Sequence, residues 1–232
     1  MKIKGAVALV TGANRGLGAA FVAGLLAGGA SKVYAAARDP GSVKLPGSVP
    51  VRLDVTRAEQ AAHLARELKD VTLVINNAGI YEPGPLLGPD AIDSLHRQFE
   101  TNAVGPLRLI QAFAPVLAAN GGGAVINVLS VLSWLAQPGR TGAYSASKSA
   151  AWALSNALRA ELKPQGTQLL SVHAGYIDTD MARDASGPKT SPQEIVSKTI
   201  AALEAGESQL LADNVTLNVH RGLTAEPPVY LG

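Results

Sequence analysis

A doubly wound α/β fold, one parallel sheet between two layers of helices, follows from three features of the 232-residue sequence. Short aliphatic runs without polar alternation recur along it, as strands buried on both faces require. Helical patterns fill the intervals between those runs. No Gly/Ser linker, low-complexity tract or internal repeat divides the chain, so residues 1–232 read as a single domain. A chain of that length buries roughly 70% of its unfolded surface around one core.

The first strand is the run 6–10, which leads into Thr11-Gly12-Ala13-Asn14-Arg15-Gly16-Leu17-Gly18 and an Ala/Leu-rich helix ending at Ala27, closed by Gly28 and Gly29. Further strands are expected at 32–37, 49–53, 71–75, 124–129 and 168–173, with helices at 57–69, 91–120 and 143–163. Pro106 lies inside the long pattern 91–120, which predicts a kink at 102–105. Residues 175–192 mix Gly, Pro, Ser, Asp and Thr without a period and read as a long functional loop, the start of a substrate lid over about 175–205. A helix at 192–205, a short strand near 209–212 and an irregular tail from 222 complete the chain.

Composition excludes several functions. With no cysteine there is no disulfide scaffold, thiolate metal site or cysteine nucleophile. The 20 Lys+Arg against 18 Asp+Glu are scattered rather than massed in a stripe, which argues against nucleic acid as a partner. The apolar stretches near the start, at 19–30 and at 124–136 are too short or interrupted for a signal peptide or a bilayer span, so a cytoplasmic protein with no membrane partner is expected. His63, His96, His173 and His220 lack metal-ligand spacing, and no metal is expected. A Ser-His-Asp hydrolase lacks its Gly-x-Ser-x-Gly elbow.

A strand, glycines at 12, 16 and 18, and then a helix suit a dinucleotide site: glycine lets the backbone approach phosphates, and the helix N-terminus offers free N–H groups. The spacing Gly-x3-Gly-x-Gly departs from Gly-x-Gly-x2-Gly, and such turns also serve as plain strand-to-helix connections. The second strand ends Ala37-Arg38-Asp39. Arg38 and Arg15 suit a ribose 2′-phosphate through bidentate bonds, whereas Asp39 suits a free 2′-hydroxyl, so NADP(H) is preferred and NAD(H) remains possible. At the start of a later helix, Tyr144 and Lys148 are four residues apart and share a face. A tyrosine with a pKa of about 10 needs a shift of roughly 3 units to exchange protons near neutrality, an effect that a neighbouring ammonium can supply. The same spacing also fits a core tyrosine and a surface lysine.

Taken in order, these stretches resemble the short-chain dehydrogenase/reductase family, with its Rossmann-like fold. The resemblance rests on Thr11 to Gly18, Asp54-Val55, Asn76-Asn77-Ala78-Gly79, Asn102, Ser130, Tyr144-x3-Lys148 and Ala174-Gly175-Tyr176-Ile177-Asp178-Thr179, covering residues 5–181. It implies an oxidoreductase that reduces ketones or aldehydes reversibly, EC 1.1.1.-. Tyr144 would be the proton donor, Lys148 the group that lowers its pKa and holds the nicotinamide ribose, Ser130 the hydrogen-bond donor to the substrate oxygen and Asn102 the holder of a water. Gly12, Asn14, Arg15, Gly16, Leu17, Gly18, Arg38, Asp54, Val55, Asn76, Ala78, Gly79, Gly175, Ile177 and Thr179 would line the cofactor, with Asn76, Ala78 and Gly79 either touching the adenosine ribose or steadying the central sheet. It also implies a homodimer or homotetramer through the helices 91–120 and 143–163.

Two departures stand out. The family places its serine thirteen residues before the tyrosine, where this chain has Val131; Ser130 is favoured by its lead-in strand, with Ser133 as a neighbour. Ala174 replaces the usual proline before Gly175. The substrate walls are expected from 81–85, 132–138 and 180–188, with Leu132 among the contacts; Trp134, Leu135, Tyr176 and Met181 point to an apolar or aromatic carbonyl compound, with Arg140 and Arg183 as nearby charges. The alternatives are a cofactor-binding regulatory protein, which would not need Ser130, Tyr144 and Lys148 together, and an NAD-dependent epimerase or lyase on the same fold.

Overall fold

The structure is a computed structural model that describes residues 1–231. Its strands are β1 (Val7–Thr11), β2 (Lys32–Ala37), β3 (Val49–Arg52), β4 (Leu73–Asn76), β5 (Ala124–Val128), β6 (Gln168–His173), β7 (Tyr176–Ile177), β8 (Lys189–Thr190) and β9 (Gln209–Leu211). The helices are α1 (Gly16–Ala27), α2 (Ala58–Glu67), α3 (Ala91–Phe99), α4 (Gly105–Ala119), α5 (Gly142–Leu162), α6 (Pro192–Ala205) and α7 (Asn214–Gly222). Seven strands form one parallel sheet in the order β3-β2-β1-β4-β5-β6-β9, and the direction of winding reverses between β1 and β4. The fold is the Rossmann-like doubly wound sheet, and the crevice outside the strand ends at such a reversal is where α/β proteins bind ligands.

Strand periodicity sorts the core into two layers. Ala8, Val10, Leu73, Ile75, Ile126, Leu170 and Val172 face α1 and α6, packing with Phe21, Leu25, Ile195 and Leu203. Their neighbours Leu9, Val74, Val125 and Leu169 face α2, α4 and α5, packing with Leu64, Leu109, Phe113 and Leu158. Both faces are therefore dry, which is why the strand sequences show aliphatic runs instead of alternation. A Cβ on Gly24 would stand 2.5 Å from Val196 Cγ1, so α1 and α6 approach closely because that residue is glycine.

The expected long helix 91–120 is two helices joined by a π-helical turn, Glu100–Val104. Pro106 follows directly in α4, and its missing N–H falls where the π-helical turn, which overlaps the expected 102–105, gives way to the α-helix. The loop 175–192 carries its own two-stranded pairing, β7 with β8. The tail after 222 is irregular as expected apart from one short turn, and the element without a sequence signal is α7. Helix α7 ends at Gly222, capped at its start by Asp213, and a short 3-10 turn follows at Val229–Leu231. No helix among the described residues is long and apolar enough to cross a membrane.

Candidate active site

The turn between β1 and α1 is shaped by what its glycines lack. Gly12 adopts φ +62°, and a Cβ there would meet Ala78 Cα at 3.0 Å; one on Gly18 would stand 2.1 Å from Gly12 O. Asn77 braces this crossing by donating from Nδ2 to Thr11 O (2.9 Å) and Gly12 O (3.3 Å), while its N–H donates to Thr11 Oγ1 (3.0 Å). Asn76, by contrast, is buried in the sheet, where it donates to Asn127 Oδ1 (2.8 Å); Asn127 in turn donates to Ser155 Oγ (2.8 Å). Of the two roles expected for Asn76, its side chain performs the one that steadies the sheet, and Asn77 is the residue that the expected set omitted.

Helix α1 begins with Arg15 in the cap position, no side chain caps it, and its first turn has no acidic residue. Helices α6 and α7 are capped by Ser191 and Asp213. The first N–H groups of α1 therefore remain available to an anion, and the small residues Gly12, Ala78 and Gly18 give it room to approach. Asn14, Arg15 and Gly16 are exposed at this turn and Leu17 is buried beneath it. Across the mouth, Thr179 Cγ2 would lie 3.3 Å from a Cβ on Gly16, and Arg15 Nη1 reaches Asp180 Oδ2 at 3.5 Å.

At the tip of β2, Arg38 is exposed and close enough to Asp54 to help hold its carboxyl below the usual range, together with hydrogen bonds from Thr56 that outweigh the opposing effect of burial. Asp39 is turned into its own loop, accepting from Gly41 N at 2.9 Å. Val55 packs against Gly105, where a Cβ would come within 3.0 Å of Val55 Cγ2.

The reactive groups gather over the ends of β4, β5 and β6. Tyr144 and Lys148 lie in the first turns of α5, with Lys148 Nζ 5.8 Å from the Tyr144 ring centroid and donating to Val128 O at 2.9 Å. Lys148 is only 6% exposed and has no acidic partner among the described residues, so burial lowers its pKa to about 8. The Tyr144 ring keeps some contact with the cleft, yet burial of its hydroxyl pushes its pKa up to about 12, opposite to the lowering expected from Lys148, and only the Ser130 hydroxyl beside it works downward. Ser130 caps the 3-10 turn Val131–Ser133, its Oγ accepting from Leu132 N at 3.1 Å. That bond occupies one lone pair and leaves the O–H free to donate.

Asn102 sits in the π-helical turn, donating to Ile80 O (2.9 Å) and Ser147 Oγ (3.0 Å) and accepting from Ile80 N (2.9 Å). One lone pair of its Oδ1 remains free. Gly79 is the small residue between it and Lys148: a Cβ there would be 3.2 Å from Asn102 Oδ1 and 3.8 Å from Lys148 Nζ. Gly175, expected to face the cofactor, donates its N–H to Asp213 Oδ2 at 2.6 Å, and Ile177 lies in the short strand β7 beside it.

The walls match expectation in part. Tyr81 packs edge-on against Tyr144, ring centroids 5.2 Å apart, and accepts from Arg140 Nε at 3.1 Å; Tyr176 Oη accepts from Gln137 at 3.4 Å. Leu132 is half-buried and Met181 is 51% exposed on the loop after β7. Trp134 is half-buried and lines a cavity of about 400 Å³ with Leu86, Ala146 and Tyr230. Its ring also stacks on His173 at 4.1 Å and meets Trp152 and His220 edge-on, in an aromatic cluster behind Ser130. A cavity of about 310 Å³ opens between Pro85, Leu86 and Leu87 on one side and Gln137 and Pro138 on the other.

The family profile described as short chain dehydrogenase matches residues 6–189. A short-chain dehydrogenase of Penicillium crustosum is 36% identical over 230 residues, which cover 92% of this chain and 81% of that protein. One of Penicillium ochrochloron is 37% identical over 182 residues, 74% of this chain and 64% of that protein, so this chain spans less than two thirds of it. Among solved structures, a short chain dehydrogenase from Burkholderia cenocepacia J2315 in complex with NADP superposes with a TM-score of 0.93 at 41% identity, covering 98% of this chain and 96% of that one.

Proposed function

The chain belongs to the short-chain dehydrogenase family of oxidoreductases, which act on CH–OH groups with NAD(P), and from that premise we propose that it is an NADP(H)-preferring carbonyl reductase. The observation that carries this reading is the single cluster of Ser130, Tyr144 and Lys148 at the strand ends, beside an uncapped helix N-terminus and a glycine turn.

The cofactor would be held by the α1 N–H groups and Gly12, Gly16 and Gly18 at its phosphates, by Asp54 and Val55 at adenine, by Ala78 and Gly79 along the ribose, and by Ile177 and Thr179 from the lid. Arg38 and Arg15 favour the 2′-phosphate. Asp39 Oδ1 accepts from Gly41 N while its Oδ2 stays free, so the preference for NADP(H) rests on the two guanidiniums. The chemistry supplied by the bound cofactor is a hydride to the substrate carbon.

The protein manages the proton. Ser130 donates to the carbonyl oxygen, and Tyr144, protonated at neutral pH because its pKa is held high, gives its proton to that oxygen as negative charge develops there. The phenolate left behind is stabilised by protonated Lys148 and by Ser130. Lys148, with a pKa of about 8, is poised to return a proton, and the free lone pair of Asn102 suits a water on the route to solvent. Tyr81 and Tyr176 give the cleft aromatic walls, which favour an apolar or aromatic carbonyl compound.

The test is turnover of NADPH, followed by absorbance, against a panel of aryl ketones and aldehydes, with NADH in parallel. Consumption dependent on the carbonyl compound and faster with NADPH is expected. No turnover with either cofactor across the panel would overturn the reading.

A further inference from the structure

Behind Ser130 lies a histidine with no role in the scheme above. His173, the last residue of β6, is fully buried, its ring stacked on Trp134 at 4.1 Å and its Nδ1 3.1 Å from the carbonyl oxygen of Ser130. A carbonyl only accepts, so Nδ1 carries the proton and donates it; Nε2 is then a bare lone pair, buried without a protein partner. Burial holds His173 neutral by lowering its pKa to about 4, and the positive charges of Lys148 and Arg159, with His220 nearby, work in the same direction.

The backbone around this contact is pinned on both sides. Leu129 N–H donates to Val172 O (2.8 Å) and Val131 N–H to Ala174 O (2.9 Å), and the Ser130 carbonyl between them receives His173 together with Ser133 N–H (3.0 Å). The strand ladder thus fixes the residues before and after Ser130, while the imidazole fixes the peptide plane that follows it. That plane leads into the 3-10 turn whose Leu132 N–H sets the Ser130 hydroxyl. We infer that His173 is a positioning residue: its Nδ1–H, clamped by the Trp134 stack, sets the serine's backbone so that the hydroxyl points at the substrate oxygen. This rests on the reading of Ser130 as the substrate donor, and the histidine itself touches neither substrate nor cofactor.

The test compares His173→Leu with His173→Asn, whose side-chain amide can place an N–H where Nδ1 stands. For His173→Leu, kcat is expected to fall by up to about 100-fold, as displacements near one ångström produce, with NADPH affinity close to that of wild type. The isotope effect on hydride transfer should rise towards its intrinsic limit as chemistry becomes slowest. His173→Asn should recover most of the kcat, a rescue that mere filling of core volume would not give. Equal losses in both variants, or a loss confined to thermal stability, would overturn the inference. Nitrogen NMR of the ring provides a check independent of turnover: the Nδ1–H tautomer is expected, and an Nε2–H tautomer would overturn it as well. Absence of turnover in the wild-type protein would instead count against the reductase reading.

Discussion

The cofactor-facing crevice between β1 and β4 and the reactive centre between β5 and β6 are built in different ways. The first is a matter of backbone: Gly12 and Gly18 permit a crossing that any Cβ would block, and Asn77 ties the crossing to the next strand through main-chain atoms. Nearly all of it lies in two short stretches, residues 11–18 and 76–79. The second is a relay of side chains from distant segments. His173 reaches Ser130 across 43 positions and Asn102 reaches Ser147 across 45. A site made of backbone depends on adjacent residues, whereas a site made of side chains depends on the register of separate elements. The first should therefore fail by losing affinity and the second by losing rate.

Substitutions can break that division, beginning with the largest effect. Lys148→Met should reduce kcat by about 1000-fold, the usual scale for a proton-transfer group. It should also stabilise the protein. Burial lowers Lys148 from 10.5 to about 8, so the unfolded chain binds more protons between those values and wild-type stability rises with pH across that window. Below pH 8 the buried ammonium costs on the order of 3 kcal/mol, of which loss of the Val128 bond returns about 1 kcal/mol. Melting curves at pH 7 should thus show a Tm several degrees higher for Lys148→Met, a gap that narrows above pH 8.

Gly18→Ala should weaken NADPH binding by roughly 100-fold, read by fluorescence titration, because Gly12 O must move away from a Cβ now 2.1 Å away. An equal fall in kcat at saturating NADPH would break the proposed division. Arg38→Asp should lower the NADPH:NADH ratio of kcat/KM by about tenfold or more, the worth of a charge-assisted pair, and an unchanged ratio would remove Arg38 as the selector. The smallest effect is expected from Asp213→Ala. Removing the acceptor of Gly175 N–H and Thr216 N–H should destabilise the protein by about 2 kcal/mol in urea unfolding, with NADPH affinity changed less than in Gly18→Ala.

The same division explains what was legible in the sequence. The parallel sheet could be read because strands dry on both faces leave aliphatic runs, and the cradle because its glycines lie side by side. Helix α7 was not legible: Val215-Thr216-Leu217-Asn218-Val219 alternates like a strand, and the Asp213 cap, not an apolar period, starts the helix. Strands β7 and β8 are two residues each, too short to show a period. The stacking of Trp134 on His173 was not legible, because it depends on the 3-10 turn that carries the ring. Asp213 and His173 carried no motif, since each matters only through a backbone group that the fold brings to it.

The central claim, that the Tyr144 phenol delivers the proton, is tested most directly by single-turnover oxidation of bound NADPH in wild-type and Tyr144→Phe protein with the same aryl ketone. The account predicts that Tyr144→Phe binds NADPH with wild-type affinity and transfers hydride at least about 100-fold more slowly. Transfer at the wild-type rate would contradict it.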